Sequence, residues 1–146
     1  MTEMNKILYV AVYMVLLSSC YKESDWISDN VDTDGYFYPL IQDVLVEPAN
    51  STATSFAEGD EALISIYYWS RDDVASVEIF ETIDGNEKLI HTATQPTRFD
   101  PARSVDVLET SYTIPTGTSG KEITIRAVVT TVNGLSRDKA TTIVVD

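Results

Sequence analysis

Between Ala62 and Trp69 the side chains alternate strictly: Ala62, Ile64, Ile66 and Tyr68 fall on one side of an extended chain, and Leu63, Ser65, Tyr67 and Trp69 on the other. The same two-residue period returns in Ile123, Ile125, Ala127 and Val129, interleaved with Thr124, Arg126 and Val128. A helix, with its 3.6-residue period, would scatter both sets around its axis. Each segment therefore needs a sheet and a partner layer for its apolar row, which restricts the chain to β architectures in which one face of each strand is buried.

The rest of the chain beyond Pro39 follows the same chemistry, in short runs of Val, Ile, Thr and Tyr broken by Gly, Asp, Asn, Ser and Pro. Ile41–Glu47 reads as a first strand ended by Pro48, and Ala49–Gly59 as a loop or ragged edge. Val74–Ile83, with Val77 and Ile79 inward, and Lys88–Ala93 form a hairpin about Asp84-Gly85, a dipeptide that accepts positive φ. Pro96–Arg103 holds two prolines and no alternation, and reads as a loop crossing between sheets. Val105–Ile114 follows with Tyr112 and Ile114 inward, and the strand from Ile123 turns at Asn133-Gly134 into a last strand carrying Thr141, Ile143 and Val145. Seven short strands over residues 39–146 predict two antiparallel sheets packed face to face about 10 Å apart, an all-β sandwich.

The amino-terminal part obeys different rules. After Lys6 the apolar run Ile7–Leu17 has eleven residues, against about 20 for a helix that crosses the hydrocarbon core. Residues 1–19 have the layout of a signal peptide. Leu17, Ser18 and Ser19 lead directly into Cys20, the only cysteine of the chain. This Leu-small-small-Cys order resembles the lipobox of bacterial lipoproteins. The resemblance implies an acylated Cys20 at the mature amino terminus and a membrane partner reached through that lipid. The competing reading is a short uncleaved anchor in which Cys20 is incidental. Tyr21-Lys22-Glu23-Ser24-Asp25 resembles the lysine-plus-acid signal that places some lipoproteins on the outer face of the outer membrane, and the resemblance implies display at the cell surface.

Residues 20–38 read as the lipidated cysteine followed by an acidic tether, with Asp25, Asp29, Asp32 and Asp34 and too few apolar residues to order themselves. Asn30-Val31-Asp32-Thr33-Asp34-Gly35 imitates the start of a calcium loop, but position twelve is Ile41 where a bidentate glutamate is needed. No metal site is expected.

Within the sandwich, Trp69-Ser70-Arg71-Asp72-Asp73-Val74-Ala75-Ser76-Val77-Glu78-Ile79-Phe80, then Asp84-Gly85, then Ile123-Thr124-Ile125-Arg126-Ala127-Val128 with Asn133-Gly134, is similar to the bacterial immunoglobulin-like and fibronectin type III-like domains of surface proteins. The likeness spans roughly Gln42 to Asp146. Where fibronectin modules commonly carry a tyrosine at the start of the penultimate strand, this chain has Ile123. The resemblance implies one immunoglobulin-like sandwich of about seven strands used for adhesion, spacing or docking.

Function classes narrow further on charge and residue type. Twenty-three acids against ten bases give a net charge of -13 over 146 residues, a field that repels phosphate backbones, so nucleic acid is not an expected partner. One histidine, His91, lies on a strand with no nucleophile near it in sequence, which leaves no triad for nucleophilic catalysis. Acid pairs such as Asp72-Asp73 sit where a soluble acidic domain carries solvated charge, and a small sandwich offers no deep cleft for glycoside hydrolysis. No catalytic residue and no cofactor is expected. The remaining candidate is a ligand platform: Tyr67 and Trp69 share the face opposite the core, with Arg71 and Asp72 beside them, and sugars stack on such aromatic faces. Alternatively, Tyr36, Phe37 and Tyr38 cover them. The expected partner is accordingly an envelope protein or, in the alternative, a neutral glycan.

Overall fold

The computed structural model describes residues 29–50 and 52–146. Leu17, Ser18, Ser19 and Cys20, the residues that resemble a lipobox, lie outside that range. Eight strands succeed one another: β1 (Leu40–Pro48), β2 (Glu61–Trp69), β3 (Val74–Ile83), β4 (Asn86–Ala93), β5 (Arg98–Asp100), β6 (Val105–Thr113), β7 (Glu122–Thr131) and β8 (Ser136–Val144). They make two antiparallel four-stranded sheets, β1-β2-β6-β5 and β4-β3-β7-β8, which form a β-sandwich. Among the described residues no helix is long and apolar enough to cross a membrane.

The alternation decides what lies between the sheets. Ala62, Ile64, Ile66 and Tyr68 of β2 are all buried, and so are Ile123, Ile125, Ala127 and Val129 of β7. Val77 and Ile79 of β3, Tyr112 at the end of β6, Ile114 beyond it, and Ile143 and Val145 join the same cluster. β2 and β7 are interior strands with a ladder on either side, which is why they carry the longest uninterrupted apolar rows. A buried polar contact crosses this layer. Tyr112 Oη donates to Glu81 Oε2 at 2.8 Å, and Lys88 Nζ stands 3.9 Å from Glu81 Oε1. A buried carboxylate needs such partners, because an unpaired one costs several kcal/mol.

Turn chemistry closes the hairpins. Asp84 and Gly85 have φ of 51° and 78°, the pair of left-handed residues that a two-residue hairpin loop requires. Asn133-Gly134 behaves differently. Only Gly134 is left-handed, at φ 81°, and its amide donates to the Thr131 carbonyl at 2.9 Å. The loop is therefore a wider turn.

Two features depart from the sequence reading. Pro96–Arg103 contains β5, an eighth strand of three residues whose Arg98, Phe99 and Asp100 pair with Val107, Asp106 and Val105. Three residues are too few to display a period, and the flanking Pro96 and Pro101 are tolerated because an edge strand needs ladder bonds on one side only. The acidic stretch 29–38, expected as a tether unable to order itself, folds back on the sandwich. Asp32 Oδ1 accepts from the amides of Asp34 at 3.1 Å and Tyr36 at 2.8 Å, and Val31 bridges Phe37 across the resulting turn. The residues that imitate a calcium loop thus turn a carboxylate onto their own backbone, as Asx turns do. Among the described residues no group of three acids, histidines or cysteines is placed to hold a metal ion.

Two predictions follow from the buried layer. Ile125→Ala removes a fully buried side chain and is expected to cost about 2–5 kcal/mol in equilibrium denaturation. Burial, reinforced by the neighbouring Asp106 charge, pushes the Tyr68 phenol up to about 12. Burial and the hydrogen bond to Glu81 raise that of Tyr112 as well. In the unfolded chain both ionise near about 10, so above that pH the unfolded state binds fewer protons than the native one. Their contribution is complete below about pH 10 and is lost as pH rises through the folded values. The urea midpoint is expected to fall between about pH 10 and 12, and a flat midpoint there would contradict the assignment.

Candidate functional site

The alternation places Tyr67 and Trp69 on the outer face of the first sheet, as the sequence predicts, but does not leave them an open pair. In the antiparallel ladders Tyr67 stands opposite Asp43 on one side and Val107 on the other, and Val107 stands opposite Arg98. These four side chains form one row across the sheet. The Arg103 guanidinium lies 4.4 Å from the centre of the Tyr67 ring and that of Arg98 5.9 Å away. Arg98 also donates to Tyr67 Oη at 3.4 Å and to Glu109 Oε1 at 2.9 Å, while Arg103 approaches Asp43 Oδ2 at 3.9 Å. Cation–π contact and ion pairing together hold the arginines over the ring. The same cover explains why Val105 and Val107 are buried without belonging to the inter-sheet cluster.

Trp69 is the exposed member, at 44% of its surface, and its cross-strand neighbour Leu40 is exposed as well. The expected cover by Tyr36, Phe37 and Tyr38 goes elsewhere. Arg71 stacks on Phe37 at 4.5 Å and Arg137 on Tyr38 at 4.9 Å. The Phe37 amide donates to Asp72 Oδ2 at 3.0 Å, and Arg137 also donates to the Asp29 carbonyl. Arg71 and Asp72 therefore fasten the 29–38 turn to the β2–β3 loop and do not flank the aromatics. His91 Nδ1 stands 3.4 Å from Thr110 Oγ1 on the inner side of edge strand β4, with no acid paired to it among the described residues.

The site that sequence reasoning missed lies at this same end of the sandwich. A cleft of about 530 Å³ is lined by Tyr68, Ser70, Arg71, Asp72, Asp73, Val74, Thr94, Gln95, Pro96 and Asp106. It sits between the β2–β3 loop and the β4–β5 connection, and three of its lining residues, Asp72, Asp73 and Asp106, carry carboxylates. One signal was present in the sequence: Asp106 lies on the same row as Leu108 and Tyr112, so an acid occupies an inward position at the start of β6.

No family model matches the chain, and no curated protein matches it. Among solved structures it is similar to Spo0M, the sporulation control protein of Bacillus subtilis, at 11% identity and a TM-score of 0.44 over 75% of this chain. The chain spans 49% of the length of that structure.

The docking of residues 29–38 makes a direct prediction. Asp72→Ala removes the acceptor of the Phe37 amide. Hydrogen exchange at Phe37 is expected to accelerate at least fivefold while the Ile64 and Ile125 amides stay protected, since loss of one charge-assisted hydrogen bond costs about 1.5–3 kcal/mol locally. Unchanged Phe37 exchange would contradict the docking.

Proposed function

We propose that this protein is a non-catalytic lipoprotein of the bacterial outer membrane, anchored through acylated Cys20 and displayed at the cell surface, whose immunoglobulin-like sandwich docks a partner within an envelope assembly. The lipobox-like Leu17-Ser18-Ser19-Cys20 supports the anchor. The observation that carries docking over glycan binding is the Arg103 guanidinium seated 4.4 Å above Tyr67. A sugar cannot stack on a ring face that an arginine fills, so the two aromatics do not form a joint platform. His91 meets the Thr110 hydroxyl at 3.4 Å with no acid behind the ring to orient it as a base, which supports a role without catalysis.

Anchoring also limits the distance of the domain from the membrane. From Cys20 to Asp29 the chain advances nine residues, which reach about 30 Å at full extension. The tether thereby keeps the end of the sandwich that binds the 29–38 turn within that reach of the membrane.

Each acyl methylene buried in the bilayer contributes about 0.8 kcal/mol. Cys20→Ala is therefore expected to move the protein from the membrane fraction to the soluble one, with loss of the acyl mass. Retention of the variant in the membrane would overturn the anchor. For the ligand, a glycan array is expected to give no saturable binding. Affinity for a defined neutral glycan that drops over fivefold on Trp69→Ser or Tyr67→Ser, about 1 kcal/mol or more, would replace docking by a carbohydrate-binding accessory role.

A further inference from the structure

The cleft at the end that binds the 29–38 turn holds an electrostatic imbalance. Asp106 projects from β6 to the inner side of the sandwich, directly opposite Tyr68 in the β2–β6 ladder. It is half-buried, yet among the described residues no cation pairs with its carboxylate and no donor hydrogen-bonds to it. Asp73, exposed across the cleft, also has no ion pair or side-chain hydrogen bond among the described residues. Arg71 does not answer them, because its guanidinium lies on the Phe37 ring. A half-buried carboxylate without a counter-charge is costly.

Tyr68 gives an independent indication. Its side chain is buried to 1% exposure and reaches the cleft wall, but its hydroxyl hydrogen-bonds to no described residue. No side-chain polar atom among the described residues is both fully buried and unpartnered, so this hydroxyl opens onto the cleft that Tyr68 lines. Tyr68 and Asp106 are cross-strand neighbours at the same wall, and the phenol oxygen, with its own proton to donate, keeps lone pairs free to accept.

The geometry points to this cleft as the binding site for a primary ammonium group, supplied by a lysine side chain of a protein partner and held by Asp106, Asp73 and the Tyr68 hydroxyl. This deepens the docking role and rests on it for the identity of the partner. An ammonium brings three donors and one positive charge, which matches two unpaired carboxylates and one hydroxyl oxygen. A metal ion fits less well, since no group of three acidic, histidine or cysteine side chains converges among the described residues. A neutral sugar fits less well too, because the wall presents Val74 and Pro96 but no open aromatic face. The net charge of -13 draws cations toward the site and repels anions.

The test uses the full-length protein in detergent, uniformly 15N-labelled and with 13C-labelled tyrosine rings, titrated with Nα-acetyl-lysine methylamide and followed by NMR. Saturable shifts of the Tyr68 ring and the Asp106 amide are expected. Nα-acetyl-norleucine methylamide, which has the same stem without the charge, is expected to produce none. Tyr68→Phe and Asp106→Asn keep the shape of the wall and are each expected to weaken the lysine response at least fivefold. Absence of a saturable lysine response, an equal response to norleucine, or undiminished binding in both variants would overturn the assignment. Phosphoethanolamine forms a third arm. Binding as tight as that of the lysine probe would make a lipid headgroup the source of the amine and overturn the protein partner. Anchoring through Cys20 is read separately by membrane partition, so failure of the cleft and failure of the anchor are distinguishable.

Discussion

Everything in this molecule leans on one layer, the apolar side chains that β2 and β7 turn toward each other across the gap between the sheets. Ile64, Ile66, Ile123 and Ile125 are fully buried there, each on an interior strand with a hydrogen-bonded neighbour on both edges. Fixing those rows fixes the register of β1, β6, β3 and β8 in turn. A one-residue slip would exchange every buried side chain for a solvent-facing one. The buried polar crossing from Tyr112 to Glu81 is tolerated because both ends are partnered.

Alternation made this layer legible from the amino acids alone, and it also placed Tyr67 and Trp69 on the outer face. It did not reveal what sits above them. Arg98 and Arg103 come from a segment with two prolines and no period, and their contact with Tyr67 depends on β5 pairing with β6, a three-residue event. Local composition was equally misleading for residues 29–38. Their acids looked like solvated charge, whereas Asp32 caps its own turn and the aromatic residues Phe37 and Tyr38 lie under arginines of the domain. Sequence separation is the cause for the arginine–aromatic contacts, which join positions far apart in the chain where no spacing rule operates. The Asp32 turn, by contrast, is local and was hidden by the acidic composition around it.

The acidic cleft illustrates the opposite case, a feature whose signal was present but masked. Tyr68 reads as core because its row is apolar, and it is buried as that reading requires. Only the pairing with Asp106 turns its hydroxyl from a detail of packing into part of a site. Functional groups at the ends of a sandwich arise this way, since the apolar rows stop a residue short of the loops and polar atoms can enter the inter-sheet space there.

The account stands or falls on the central strands forming one cooperative layer. Residue-resolved hydrogen exchange on the full-length protein tests that most directly. The amides of Ile64, Ile66, Ile125 and Ala127 are predicted to exchange only through global unfolding, sharing one free energy, while those of edge strands β4 and β5 exchange faster by local opening. Exchange of the β2 or β7 amides as fast as that of the edges would contradict it.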